Sequence, residues 1–401
     1  MKKAFENIRI IDTTHVLAGP FASYQLAVLG AEVIKIESPL DPDQARMQGS
    51  DRSLNDQRLG TAFLSQGSNK KCMALDLKKK QGQEILKELI KEADVFVENY
   101  RPGAMIALGL GYEDLAALNP SLIYCSISAF GTTGPRQNET AYDNVIQAFS
   151  GMMAMTGIKD SGPLKSGAPV VDYATGAMAA FSIASALYQR EAQQSGGQHI
   201  DVSMLDVAMM LSSSHLTGYL WNGKHPEPKG NRFPFATIGY YETTDSPIMI
   251  AASNLKQQKR LWTALGREDL IKEDNNQRLD GYEEEAQTLR SIIGTMPASY
   301  WEAFLQSRRV PVSRIRRMEE ALADPQLEAR SVIQSQIWPQ QNDASLRVPV
   351  SAFTMSKSPG EVTLPPQMTG AQTHEILEAL GYDSAFIERL MMEGVINKRT
   401  S

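Results

Sequence analysis

Cysteine is almost missing from this chain: Cys72 and Cys125 are the only two in 401 residues. They form no CxxC or other metal-ligand spacing and no disulfide framework, which points to a reducing, cytoplasmic setting. Basic residues are outnumbered, 40 Lys and Arg against 46 Asp and Glu, for a net charge of −6. That balance argues against nucleic acid as the main partner, because phosphate binding needs a basic face. No stretch approaches roughly 18 uninterrupted apolar residues, the length of a membrane helix. The N-terminus opens with positive charge, but Arg9, Asp12, Thr13, Thr14 and His15 break its apolar run at once, unlike a signal peptide. The turn after the first apolar segment lacks G-x-G-x-x-G, so a dinucleotide-binding reading is weak. Internal repeats and low-complexity tracts are also missing.

What remains is an ordinary globular composition, 42% hydrophobic and 21% charged, long enough for about two domains. Residues 8–12 read as a short buried strand, 21–29 as a helix stopped by Gly30, and 31–37 as a second strand. That βαβ unit predicts a ligand-binding turn after its first strand. Strand and helix continue to alternate: strand 73–77, a helix body over 84–93 whose first turn Gly82 weakens, and strands 94–100 and 122–130. Strand 199–204 and a helix over 205–219 follow. The alternation predicts an α/β fold with a parallel, doubly wound sheet. From Trp221 the texture changes. The turn-rich segment Asn222–Gly230 precedes a hairpin at 236–253 and charged helices near 257–265, 284–295 and 300–307. The expected division is therefore a large domain over 1–220, a smaller α+β domain over 221–325, and a return to the large domain over 326–401.

Within the large domain, Ser166–Gly176 stands out. Asp172 follows two valines and precedes Ala177–Leu187, a run apolar and small enough for a buried helix. A carboxylate at the mouth of such a helix would be held ionised by the helix dipole and unpaired N–H groups. Two roles are open to it, a helix cap or a nucleophile poised against an apolar wall.

Several segments together resemble the class III CoA-transferase (CaiB/BaiF) family. They are Asp12–Pro20, Leu29–Glu37, Asn69–Lys71 with Ala74–Lys78, Asp94–Gly103, Leu108–Tyr112, Tyr124–Ser128, Gly131–Pro135, Tyr142-Asp143 and Gly197–Asp206, running in the family's order. The resemblance implies a Rossmann-like large domain built from both ends of the chain, a small domain between, and an interlocked homodimer. It implies a transferase acting on acyl-CoA and a carboxylic acid, with coenzyme A as substrate, no tightly bound cofactor and no metal. Asp172 takes the position of the nucleophilic aspartate, and Tyr142 and Asp143 that of the active-site tyrosine–acid pair. CoA contacts carry over to His15, Val16, Leu17, Ala18, Leu75, Lys78, Asn99, Tyr100 and Arg101.

The departures are informative. Two CoA-binding arginines of the formyl-CoA transferases are Ser38 and Ala107 here, and their glycine-rich loop is replaced by Ile250–Lys256. The pattern looks more like the branch using succinyl-CoA or similar donors with dicarboxylic acceptors. The family's α-methylacyl-CoA racemases carry a His where this chain has Tyr142, and a phenol with a pKa of about 10 is a poor base near neutrality. A CoA-binding protein without catalysis is the third reading. Arg46, Arg101, Arg136 and Arg232 are the candidates to hold a distal carboxylate of the acceptor.

Overall fold

The computed structural model describes residues 2–338, 341 and 344–397. The chain divides into two compact units. The first comprises Met1–Met152, Lys165–Lys224 and Gln326–Ser401; the second comprises Met153–Leu164 and His225–Pro325. The segment 153–164, read from sequence as part of the large domain, thus clusters with the second unit.

The first unit is built on six parallel strands: β1 (Arg9–Asp12), β2 (Glu32–Glu37), β3 (Lys70–Ala74), β4 (Val95–Glu98), β5 (Ile123–Ser128) and β6 (Gln198–Ser203). Their order, β3-β2-β1-β4-β5-β6, is that of a doubly wound sheet with its switch point between β1 and β4. Alternate side chains go to opposite faces, and both faces are covered. Ile10, Val33, Val95, Val97, Ile123 and Cys125 face helices α1 (Ala18–Ala27) and, later in the chain, Val170–Gln193. Ile11, Ile34, Met73, Phe96 and Tyr124 face the other way, onto α2 (Lys80–Lys91). Both cysteines are fully buried in or beside this sheet; burial pushes Cys72 up to about 11, so neither is a ready nucleophile.

The strand expected at 73–77 lies at 70–74 instead. The strand's first residue, Lys70, is only 1% exposed, its Nζ 3.1 Å from Asp12. Gly82, expected to weaken α2, is required there: a Cβ would stand 2.1 Å from the Asp76 carbonyl oxygen. Helix α3 (Asp143–Phe149) precedes α4 (Val170–Gln193). Gly176 lets α4 close on α1, because a Cβ there would meet the Ala18 carbonyl oxygen at 2.5 Å. By length and hydropathy α4 could cross a membrane, but Val171, Ala179, Ile183 and Ala186 are buried, as in a core helix. The helix expected over 205–219 is two, α5 (Met204–Leu211) and α6 (Ser213–Asn222). Ser212 breaks it, its N–H shared between the carbonyls of Ala208 and Met209 at the head of a serine run.

The second unit holds an antiparallel sheet of β7 (Ile238–Tyr241), β8 (Ile248–Ala251) and β9 (Val312–Arg314). Against it lie α7 (Leu255–Ala264), α8 (Asn275–Asp280), α9 (Tyr282–Ile293) and α10 (Ala298–Gln306). In the segment Ile250–Lys256 Asn254 caps α7, accepting from Gln257 N at 3.0 Å. Glu285 is fully buried in this unit with neither carboxylate oxygen hydrogen-bonded among the described residues. Burial pushes it up to about 7 against the opposing charges of Lys272 and Arg278. An acid raised from its ordinary value stabilises the fold below the unfolded pKa and loses that contribution as pH rises through the folded one. Glu285→Gln is therefore expected to flatten the fall in stability between about pH 4.5 and 7 and to stabilise the protein by about 2 kcal/mol at pH 8. Urea midpoints across that range check it.

After the second unit the chain returns to the first. An antiparallel pair, β10 (Ile333–Trp338) and β11 (Ala344–Pro349), is followed by α11 (Thr373–Ala379) and α12 (Ser384–Met392). Ile376, Leu377, Ile387 and Leu390 complete the core on the α2 face of the parallel sheet.

Candidate active site

The site lies in the first unit, at the C-terminal ends of β1 and β4 where the strand order reverses. Beneath it six charges are buried together. Asp12, Lys35, Glu37, Asp43, Arg46 and Lys70 are each at most 1% exposed. Arg46 grips Glu37 through Nε and Nη2, at 2.7 and 2.6 Å, and stacks 3.7 Å from the Phe63 ring centroid. Lys35 Nζ reaches Asp43 at 3.1 Å and the Thr14 carbonyl oxygen at 2.6 Å. Burial disfavours ionised Asp12, but Lys70 and Lys35 overcome it and hold the carboxyl far below its usual range. Three cations against three anions leave this floor neutral.

The floor shapes the turn above it. Val16 adopts φ +69°, a left-handed conformation that is rare for a β-branched residue. Asp43 Oδ1 accepts from the Val16 N–H at 2.9 Å and Gln66 Nε2 donates to its carbonyl at 2.7 Å, which imposes the strain. The turn is tied to β4 as well: His15 N donates to Asn99 Oδ1, and Asn99 Nδ2 returns to the His15 carbonyl, both at 2.8 Å. His15 Nε2 lies 2.9 Å from the Tyr100 hydroxyl. Burial and the Lys35 charge shift the imidazole down, so it stays neutral near pH 7. Asp43, Gln66 and Lys35 were not anticipated, because nothing in their spacing marks them as props for a neighbouring turn.

The residues anticipated from sequence are spread over adjoining cavities. His15, Val16, Leu17, Ala18, Asn99, Tyr100, Arg101, Tyr142 and Asp172 line one of about 530 Å³, within the usual range for ligand sites. Leu75 and Lys78 line a smaller one of about 160 Å³, sharing His15 and Tyr100 with the first. Asp143 opens onto a third of about 510 Å³, which shares Val16, Tyr142 and Asp172.

Asp172 and Asp143 divide the two roles that the sequence left open. Asp172 is the third residue of α4 and does not cap it. Asp143, 7% exposed, takes that part from α3: its Oδ2 accepts from Val171 N at 2.8 Å and Asp172 N at 3.1 Å. Gln147 holds Asp143 in turn and fastens Ser166, ahead of α4, at 2.9 and 3.0 Å. The N–H groups expected to keep Asp172 ionised are thus taken by Asp143. Burial, reinforced by the Asp143 charge, pushes Asp172 up to about 7, and its carboxylate accepts no hydrogen bond among the described residues. Tyr142 is 59% exposed at the cavity rim.

Of the four arginines considered, three are engaged. Arg46 is buried on Glu37, Arg136 pairs with Glu139 at 2.7 Å, and Arg232, in the second unit, pairs with Glu283 at 2.9 Å. Arg101 is exposed, lines the 530 Å³ cavity and has no carboxylate partner among the described residues. No group of three or more metal-ligating side chains occurs among the described residues.

Comparison with known proteins gives this geometry a context. The family model described as CoA-transferase family III matches residues 5–373. An acetyl-CoA:oxalate CoA-transferase of Acetobacter aceti is 37% identical over 83% of this chain and 86% of its own length. The human succinyl-CoA:glutarate CoA-transferase is 34% identical over 99% of this chain and 90% of its own. The crystal structure of a CaiB/BaiF family protein from Brucella suis superposes with a TM-score of 0.82 at 29% identity, covering 95% of this chain and all of that one. The six-stranded parallel sheet and its helices match that structure's α/β fold, and the chain belongs to CoA-transferase family III, whose members of this kind are enzymes that transfer CoA.

Proposed function

We propose that this enzyme moves CoA from an acyl-CoA donor to a small or dicarboxylic acid through covalent intermediates on Asp172. The observation that supports this is a carboxylate raised to about 7, without a hydrogen bond among the described residues, facing the cavity that His15–Ala18 and Asn99–Arg101 also line. An unsolvated carboxylate is a stronger nucleophile than a hydrated one. In the first step Asp172 attacks the thioester carbonyl, the C–S bond breaks, and an acyl–aspartyl anhydride and CoA thiolate form. The thiolate attacks Cγ of Asp172, releasing the donor acid and leaving an aspartyl-CoA thioester. The acceptor carboxylate displaces the thiolate from Cγ to give a second anhydride. The thiolate then takes the acceptor's acyl carbon and frees Asp172. No proton is gained or lost. Each anhydride is water-sensitive, which suits a nucleophile set against buried Val171 and Thr175.

On this reading His15–Ala18, Asn99 and Tyr100 hold the pantetheine side of CoA, and Leu75 and Lys78 its adenine and phosphate side. Asp143 is a positioning residue: it pins the first turn of α4 and raises its neighbour. Asp143→Asn is expected to move the acid limb of the kcat/KM profile, near pH 7 in the parent enzyme, to lower pH, because the like charge is removed. A limb that stays in place would exclude that coupling. The succinate, glutarate and oxalate named for the relatives, with Arg101's free guanidinium, favour a dicarboxylic acceptor. Arg101→Gln is expected to raise the acceptor KM about tenfold and leave the acyl-CoA KM within twofold, as loss of one charged pair does. A homodimer is part of the proposal, supported by exposed Phe181, Tyr188, Leu220 and Trp221 on α4 and α6, the last 89% exposed.

The experiment is a panel of succinyl-, acetyl- and formyl-CoA against mono- and dicarboxylic acids, with hydroxylamine or borohydride trapping. Transfer with a trapped label on Asp172 supports the proposal. Deuterium entering the α-carbon without acid exchange would instead indicate racemisation, and binding with neither outcome a non-catalytic CoA protein.

A further inference from the structure

The second unit carries a concentration of positive charge that the proposed reaction does not use. Lys256, Lys259, Arg260 and Thr263 stand on one face of α7, at the i, i+3, i+4, i+7 spacing, while Leu261 and Trp262 on its other face are fully buried. Arg308, just beyond α10, faces the same cavity, of about 690 Å³. Elsewhere in this unit Arg232, Arg267, Arg314 and Arg316 each hold a carboxylate. Lys256, Lys259, Arg260 and Arg308 hold none among the described residues, in a chain whose net charge is −6.

The cavity rim is also fixed in place. The Arg308 guanidinium lies 3.7 Å from the Phe304 ring centroid and donates to the Phe304 carbonyl at 2.9 Å. Arg309 adopts φ +59°, a left-handed conformation costing about 1 kcal/mol for a residue with a Cβ. Its carbonyl accepts from Arg260 at 3.4 Å, so the strained turn joins the two arginines' segments. Strain of this kind gathers where side chains are aimed at a ligand.

We infer that this cavity is an anion site for a diphosphate group, separate from the acyl-CoA cavity of the first unit and independent of the proposed transferase mechanism. Two guanidinium forks match phosphate oxygens, two ammonium groups add charge, and the Thr263 hydroxyl supplies a neutral donor. Four cations around a concavity suit a compact anion of three to four charges. An extended nucleic acid would need a basic stripe, which the chain's acidic balance disfavours. The diphosphate has two possible sources, a free nucleotide or a second coenzyme A molecule, apart from the one the first unit would hold.

The test is isothermal titration of the full-length protein with inorganic pyrophosphate, ATP and CoA, at low and moderate salt. Pyrophosphate is expected to bind once per chain, at least tenfold tighter than orthophosphate, and to weaken as salt is raised. The exposed double variant Arg260→Gln/Arg308→Gln is expected to lose at least tenfold in pyrophosphate affinity at unchanged melting temperature. If that variant keeps the parent's CoA isotherm, the ligand is a free nucleotide; if it loses a second CoA equivalent per chain and keeps the first, the ligand is that second CoA. Pyrophosphate binding absent at millimolar concentration, or equal in the variant, overturns the site, as does an oligonucleotide binding more tightly than pyrophosphate. None of these outcomes depends on turnover, and Asp172→Ala should leave pyrophosphate binding unchanged.

Discussion

Asp172→Ala should slow CoA transfer by about 10⁴-fold or more, the loss that follows removal of a covalent nucleophile acting in a unit. The change takes away the carboxyl group on which both anhydrides and the aspartyl thioester would form, and only CoA binding and substrate juxtaposition remain. Asp172→Asn makes the stricter comparison, since it keeps the shape and the first-turn geometry of α4 while removing the nucleophilic oxygen. Both variants should bind CoA within severalfold of the parent, because the His15–Ala18 turn and Asn99 do not depend on the carboxylate. Rapid-quench transfer assays, with mass spectrometry of the hydroxylamine-treated protein, measure both quantities. A variant retaining a tenth of the parent rate would rule out the covalent route. The pH profile adds a second reading: with Asp172 at about 7, kcat/KM should fall as pH drops below neutrality.

The largest stability effect is expected beneath the site. Arg46→Met should cost about 3–5 kcal/mol, because it leaves Glu37 buried without its bidentate partner. The Glu37 carboxyl is held below its ordinary value against burial chiefly by Arg46, so the variant also becomes pH-sensitive as Glu37 seeks a proton. Removing both members, Arg46→Met with Glu37→Leu, should restore most of the loss. It leaves the buried cluster balanced, with two cations and two anions, and replaces a charged pair by apolar volume. Denaturant unfolding of the four proteins closes the double-mutant cycle, and an interaction energy near zero would sink this account. Activity should fall further than stability in the single variant, since the Asp43 N–H bonds to Glu37 at 3.2 Å and Asp43 in turn sets Val16.

Much of the parallel sheet was legible because its signal is local. Strands buried on both faces read as short apolar runs, and each helix between them carries its own stop. The site turn was legible for the same reason, as the segment after the first strand. What escaped was set by partners distant in sequence. β3 begins three residues upstream of the expected strand, at Lys70, whose buried partner Asp12 lies 58 residues earlier. Asp143 stands out in the sequence only as half of a tyrosine–acid pair, because the N–H groups it accepts from lie 28 and 29 residues later. The pair β10–β11 is hard to read because polar residues interrupt both strands, Gln334-Ser-Gln336 in one and Ser345 and Arg347 in the other. The serine run at 212–214 divides a helix whose apolar pattern continues on both sides.

Helix α4 has a mechanical consequence beyond its packing. Its 24 residues make a rod about 36 Å long. Asp143 anchors one end, and at the other Arg190 clasps Asp94 at 2.6 Å, where Asp94 also receives Arg9 N at the foot of β1. Gly176 lets the rod lie flush on α1 along the way. A beam clamped at both ends and bedded along its length cannot swing, so its load, one carboxylate, stands at a set height before any substrate arrives. A loosened clasp at Arg190, a helix length from the chemistry, should therefore register as misalignment at Asp172 and not as lost affinity for CoA.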